Sequence, residues 1–460
     1  MSLVVEFIKM GKKGKQILKK LLKGNTPVYM SSVRRIEQVK TNERICAMTF
    51  DDGPFNLLPS PNHSNKCLTL TLLETLEKYD AKGTFDIIGD TSENYPDEPG
   101  KEGTSAWGGV KFDHYPDINK DEFGGAVHCP ELVQRIIDGG HELSNHGYWH
   151  RLFGAKNVVY GKRITFHSID EVVEDLNKLH TYVKEKFNYE MKLSRPPHYV
   201  DKIEGGHTSY DAYHEMGYQY MAASYDGAGW LPCSTYEEEV KAMYVGMEAL
   251  LAENPDALCG QIIFQKDGYN MARRTPVADG LGKQLEILKK YGYKVVTVSE
   301  LMSHCAFKDL GAGDEGFKEA MALIEQDYCI GYKDNTLKMD HLLKRGELAF
   351  MLYGKEGTSV RTKLLKQNSV KVFDDVEVKF PYSGAIKLAV EKQTMNLKGN
   401  NFEPQSSVNI MEFNQVVGNI FENYIPLKGN QTDVVTHKMA IITLGKNVLR
   451  ATKEDAIALQ

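Results

Sequence analysis

The sequence predicts an α/β fold followed by a mainly α-helical repeat domain. Short apolar runs alternate with amphipathic stretches from Arg44 to Leu301, the alternation stops near residues 302–306, and the remainder repeats a helical pattern of its own. Strand-like ICAMTF (Ile45–Phe50) precedes helix-like LTLLETLEKY (Leu70–Tyr79) and then GTFDIIG (Gly83–Gly89). Further on, IIF (Ile262–Phe264), GKQLEILKKYG (Gly282–Gly292) and YKVVTVSEL (Tyr293–Leu301) keep the same order. Parallel strands need crossover connections, and helices supply them, so a parallel sheet or barrel is expected.

At 460 residues the chain is long enough for two or three domains. The boundaries fall at 1–40 for a basic N-terminal segment, 41–302 for the α/β domain and 303–460 for the helical repeats. Phe307–Leu352 and Phe373–Val417 share an opening aromatic-acidic pair, a central helix and a closing helix, and a degenerate third copy falls at 420–445. Repetition of this length marks modules that bury their faces against one another. Hydrophobic content of 42% and a net charge of −6 exclude a disordered or membrane-spanning chain and give no sign of a nucleic-acid partner. The seven cysteines show no C-x-x-C spacing, so they read as buried thiols. The segment Val4–Lys23 has seven lysines and no continuous apolar core. It reads as an exposed basic amphipathic helix, with a membrane-surface anchor as the alternative, and no export signal or transmembrane segment is visible. Thr91–Gly125, rich in Gly, Pro, Asp and aromatics, reads as a long surface insertion beside a site.

Two adjacent carboxylates, Asp51 and Asp52, close a predicted strand just before Gly53-Pro54. On a regular strand they would face opposite ways, and the Gly-Pro break lets both turn to one pocket, one to bind a cation and one to accept a proton. His146 and His150 lie four apart, a spacing that puts two imidazoles on one helical face. Two imidazoles and one carboxylate form a facial set that leaves positions open for water and substrate.

TFDDGP (Thr49–Pro54), HGYWH (His146–His150), RPPHY (Arg195–Tyr199), DGAGW (Asp226–Trp230) and IIFQKDG (Ile262–Gly268) follow the order and spacing of five family motifs. In them, residues 40–302 resemble the NodB-type polysaccharide deacetylases, the family 4 carbohydrate esterases. The resemblance implies a distorted (β/α) barrel of about seven strands with one divalent metal ion at the strand C-terminal ends. Asp52, His146 and His150 would hold that ion, for which zinc is favoured and cobalt, iron or manganese are acceptable. Asp51 would be the general base and Arg195 would orient it. The His198 backbone N–H would stabilise the oxyanion, Trp230 and Phe264 would wall the acetyl pocket, and Pro197 and Tyr199 would line the substrate groove.

Three positions depart from that family's pattern. Lys266 stands where the family carries the histidine that protonates the departing amine, and Asp226 would normally tune that histidine. Asp86 replaces an aromatic residue in a strand buried on both faces, and a buried carboxylate needs a partner, for which Lys266 is one candidate. His198 stands where tyrosine is common and is an alternative proton donor.

The repeats resemble S-layer homology modules, which bind anionic secondary polymers of bacterial cell walls. Lys344-Arg345-Gly346-Glu347 fits the signature of that family with its arginine retained, whereas Asn409–Glu412 and Thr436–Met439 lack it. The expected partners are an amino-sugar polysaccharide substrate, peptidoglycan or chitin-like, and a wall polymer through residues 307–417. The resemblance implies the cell surface or wall, while the lack of a visible export signal leaves a cytoplasmic location or a truncated N-terminus as the alternatives. The main expectation is a metal-dependent deacetylase. The alternatives are a carbohydrate-binding descendant with weak turnover and a structural wall protein.

Overall fold

The computed structural model describes residues 28–61, 65–90, 124–154, 165–230, 232–270, 272, 274–304 and 307–458. The basic segment up to residue 27, most of the predicted insertion and Cys305 lie outside the described residues.

The N-terminal unit follows the predicted alternation. Its strands are β1 (Arg35–Ile36), β2 (Ile45–Asp51), β3 (Thr84–Ile87), β4 (Glu142–Asn145), β5 (Leu193–Ser194), β6 (Gln219–Met221), β7 (Tyr225–Asp226), β8 (Ile262–Lys266) and β9 (Lys294–Val296). Its helices are α1 (Leu68–Lys78), α2 (Pro130–Asp138), α3 (Ile169–Phe187), α4 (Ser209–Met216), α5 (Tyr236–Glu253), α6 (Val277–Lys290) and α7 (Val298–His304). The strands run β1-β6-β5-β4-β3-β2-β8-β7 in one parallel sheet, with β9 also pairing β2, as a curled half-barrel. The family resemblance implies about seven strands. The surplus comes from two-residue strands such as β1 and β7, which are too short to show any apolar period. Because β1 belongs to the sheet, the α/β unit begins inside the segment set apart as residues 1–40.

All seven residues of β2 are buried, as parallel strands covered on both faces must be. Phe50 of β2 stacks on Phe85 of β3 with ring centroids 4.8 Å apart, and helices α1 and α6 close over them through Leu72, Leu76, Leu281 and Leu285. This core holds the C-terminal ends of β2, β3, β4 and β8 side by side.

The C-terminal unit contains α8 (Phe317–Glu325), α9 (Arg345–Lys366), a short hairpin of β10 (Lys371–Phe373) and β11 (Val376–Glu377), α10 (Ser383–Glu391), α11 (Ile410–Gly418) and α12 (His437–Ala458). Three extended segments meet in a closed ring of backbone hydrogen bonds. Leu343 N donates to Val435 O (2.8 Å), Val435 N to Val408 O (2.9 Å) and Val408 N to Leu343 O (3.0 Å). Each segment leads into a helix, α9, α11 or α12, so Thr436–Met439 occupies the same place as the signatures of the other two modules. Asp309 and Asp375 play matching parts: one accepts from the N–H groups of Leu337 and Lys338, the other from those of Phe402 and Glu403. At the crossing of α9 and α10, a Cβ on Gly384 would lie 1.9 Å from the Gly357 carbonyl oxygen, so the two backbones touch and only glycine fits.

Arg345 differs from its expected role as an exposed fork for polymer carboxylates. Only 2% exposed, it donates from Nε to Phe402 O (2.7 Å) and from Nη2 to Asn396 O (2.7 Å), and it pairs through Nη1 with Glu412. Its guanidinium is spent inside the fold, joining the first module to the second. Arg345→Ala is therefore expected to destabilise the protein by about 3 kcal/mol, because it strips hydrogen bonds and leaves Glu412 facing a void. A melting curve checks this, and a change near zero would return Arg345 to the surface role.

The two units touch through the β1 segment and α4. Met30 N donates to the Tyr382 hydroxyl (2.8 Å), Arg34 Nη1 to Asn335 Oδ1 (2.7 Å), and His214 Nε2 lies 2.9 Å from Ser359 Oγ. Among the described residues no helix is long and apolar enough to cross a membrane.

Candidate metal centre

The turn after β2 is made by Asp52 rather than by the Gly-Pro pair alone. Asp52 has φ 79°, in the left-handed region that aspartate tolerates better than most side chains, and this turns it toward the pocket that Asp51 faces. Gly53 is required next, because a Cβ there would lie 2.1 Å from Asp267 Oδ2, a carboxylate fixed by the Thr69 hydroxyl (2.7 Å).

The histidine pair converges, although not on a helix. β4 ends at Asn145, and His146–His150 form a loop with Gly147 at φ 91° and His150 at φ 52°. Helix formation is overruled by local hydrogen bonds that bend the chain. Asn145 Oδ1 accepts from Gly147 N (2.9 Å), and Asp175 of α3 accepts from Tyr148 N (2.9 Å) and Trp149 N (3.0 Å). The imidazole centroids lie 5.0 Å apart.

Asp52 Oδ1 is 3.2 Å from His146 Nε2 and 3.2 Å from His150 Nε2. Bonds of about 2.0–2.1 Å to a tetrahedral ion separate neighbouring donor atoms by roughly 3.3 Å, so Asp52 Oδ1 stands at ligand spacing from each imidazole, and donor atoms of all three residues lie within 4.8 Å of one another. The donors, two imidazoles and a carboxylate, suit a divalent transition ion.

Beside the triad, Asp51 is paired with the Arg195 guanidinium, which also donates to Thr49 Oγ1 (3.0 Å). Burial pushes the Asp51 carboxyl up to about 6 even though Arg195 and His146 pull it down. Burial also raises Asp52, but Lys266, His146 and His150 outweigh it and hold Asp52 well below the usual carboxylate range. His150 is lowered by burial to about 4. For His146 burial acts downward, yet Asp86 and Asp52 raise it well above the ordinary imidazole value.

The remaining sequence-predicted residues divide into two groups. His198 lies near the triad, its ring 5.7 Å from that of His150, and both it (φ 54°) and Tyr199 (φ 55°) are left-handed. Pro197 is buried in the same turn, while the Tyr199 and Phe264 rings face the Arg195 guanidinium at 5.6 and 5.7 Å. Lys266 forms an ion pair with Asp52. Asp226 is exposed and accepts from the Trp230 indole N–H (3.0 Å to Oδ2) and from Ala228 N, so it orients Trp230.

The suggested Asp86–Lys266 pair gives way to two others. Asp51 of β2 is in register with Asp86 on one side and with Lys266 on the other, so β2 separates them. Asp86 Oδ2 lies 2.7 Å from His146 Nδ1, and Lys266 reaches Asp52. The sequence signalled Asp86 as a lone carboxylate in an apolar strand, but gave no means of choosing its partner. Asp175, which shapes the histidine loop, gave no signal at all.

Residues 38–221 match the family model for polysaccharide deacetylase. The peptidoglycan-N-acetylglucosamine deacetylase of Bacillus cereus is 27% identical over 273 residues, which is 58% of this chain and 92% of the relative. The peptidoglycan-N-acetylmuramic acid deacetylase PdaC of Bacillus subtilis is 23% identical over 167 residues, covering 36% of this chain and 24% of the relative. The solved structure of PdaC superposes with a TM-score of 0.36 at 20% identity, over 58% of this chain and 93% of the solved chain. The N-terminal part of the chain is thus similar, over residues 38–221, to the polysaccharide deacetylases.

Proposed function

We propose that this domain hydrolyses N-acetyl groups on an amino-sugar polymer of the peptidoglycan type, using one divalent ion held by Asp52, His146 and His150. The observation that carries the reading is the ligand-like 3.2 Å spacing of Asp52 Oδ1 from both imidazoles beside an arginine-held carboxylate. Two relatives act, by name, on peptidoglycan N-acetyl sugars, which favours that polymer over chitin-like chains. A divalent ion held there, zinc being favoured and cobalt, iron or manganese also acceptable to this donor set, would supply Lewis acidity toward the acetyl carbonyl and make water easier to deprotonate.

The protein's residues supply the rest. Asp51 accepts the proton of the attacking water, and its upward shift to about 6 suits a base working near neutral pH. Arg195 fixes the Asp51 oxygen that does not face the substrate. The His198 N–H, presented by the left-handed turn, stabilises the developing oxyanion. Trp230, oriented by Asp226, and Phe264 wall the acetyl pocket, and Pro197 and Tyr199 shape its floor. Proton delivery to the departing amine falls to Lys266 or His198.

The Lys266–Asp52 ion pair favours a second reading, a sugar-binding domain with slow turnover, because an ammonium held by a carboxylate is a reluctant acid. Acetate release from de-N-acetylated and fully acetylated peptidoglycan fragments decides between them. The wild type is expected to release acetate only from the acetylated fragments and only with metal, and no release under saturating metal leaves the binding reading. Under the first reading, Lys266→Ala and His198→Ala identify the donor as the variant that loses the rate.

For the C-terminal unit we propose an S-layer-homology-like role in holding the protein at the cell wall. The ring of three signature segments supports it. Contact with an anionic wall polymer would use the exposed faces of residues 307–417, since Arg345 is committed internally. The full chain is expected to sediment with purified walls and to stay in solution with walls stripped of secondary polymers. Equal sedimentation with both would leave the repeats as a scaffold.

A further inference from the structure

Asp86 has no exposed surface, and each of its oxygens faces a different group. The Ser144 hydroxyl donates to Oδ1, and Oδ2 lies 2.7 Å from His146 Nδ1. The same nitrogen is 2.8 Å from the Arg195 carbonyl oxygen, toward which its N–H is aligned. Oδ2 has no aligned donor of its own, so its contact with the ring is chiefly electrostatic. Both neighbours of Nδ1 are acceptors. A neutral imidazole here must therefore carry its proton on Nδ1 and its lone pair on Nε2, the atom facing Asp52 Oδ1.

We propose that Asp86 is a positioning residue of the metal centre, its charge acting from behind His146 with the Arg195 carbonyl to hold the Nδ1–H tautomer and the ring in place. The inference rests on the reading of Asp52, His146 and His150 as metal ligands. The register explains how the sequence builds it. Asp86 stands opposite Asp51 on β2 and opposite Ser144 on β4, so its carboxylate and the Ser144 hydroxyl meet between strands two residues before His146. Lys266 acts in the same sense on the other side of β2. It engages Asp52 Oδ2, which leaves Oδ1 turned toward the two imidazoles. One ligand is thus backed by an anion and another by a cation, and the added charges cancel inside a buried site, where an unbalanced charge would be costly. Asp51, Asp86 and His146 are also close enough together to suggest a second cation, but Arg195 already occupies Asp51 Oδ1 and opposes one.

Calorimetric titration of the full chain with Co²⁺ or Zn²⁺ tests this without reference to turnover. Asp86→Asn is expected to bind the ion about 10–100-fold more weakly than wild type, the usual loss when the group supporting a ligating histidine is removed. Ser144→Ala leaves every charge in place and only loosens Asp86, so a smaller loss of several-fold is expected. It supplies the answer if circular dichroism shows Asp86→Asn unfolded. Wild-type affinity in the folded Asp86→Asn variant, or in Ser144→Ala when that variant must decide, overturns the proposal. A wild type that binds neither ion removes the ligand assignment itself, so the two failures are distinguishable.

Discussion

Asp51→Asn is expected to slow acetate release by about 10²–10⁴-fold, the usual contribution of a positioned general base. Metal affinity should change little by comparison, because Asp52 rather than Asp51 completes the triad with the two imidazoles. Steady-state rates and a metal titration on the same protein separate the two effects. A variant that loses metal and rate in parallel would make Asp51 a ligand. The same assignment gives the pH profile a direction. Asp51 must be unprotonated to act, so the rate falls as pH drops through its pKa, which burial raises to about 6. A cation beside it pulls that value down, so the acid limb is expected at or below pH 6. A rate that holds steady well below pH 4 would contradict the assignment.

Lys266→His is expected to raise the rate by up to about 10²–10⁴-fold, the range a well-matched general acid contributes. Two changes act together. An imidazole titrates near neutral pH, whereas lysine is an acid with a pKa near 10.4. The substitution also releases Asp52 from its ion pair. A kcat that rises without a matching change in KM would mark a gain in the chemical step. A variant no faster than wild type would mean that the amine already receives its proton from another group, of which His198 is the nearest named candidate.

The fold was legible in the sequence wherever a pattern was local. The run Ile45–Phe50 ending in two carboxylates gave both a buried strand and the position of the site, because strand burial and strand ends depend on neighbouring residues. The histidine pair does come together beside Asp52, but by another route than the spacing implies. Spacing of four implies a helical face, yet the loop is bent by Asp175, a residue 25 positions beyond His150 whose part depends on tertiary contact. The same limit explains Asp86 and Lys266. Each was conspicuous as a charged residue in an apolar strand, and pairing them was reasonable on charge alone. Only the strand order, with β2 between them, assigns Asp86 to His146 and Lys266 to Asp52. Arg345 repeats the lesson in the C-terminal unit, where a signature residue that suggested a surface role is consumed by carbonyls 51 and 57 residues away.

The most direct test of the metal centre is a titration of the purified, chelator-treated chain with Zn²⁺ or Co²⁺, followed by acetate release at each point. The account predicts one ion per chain, loss of that binding in His146→Ala and in His150→Ala, and acetate release that rises in step with occupancy. Binding that survives both substitutions, or acetate release at full rate in the chelator-treated protein, would contradict it.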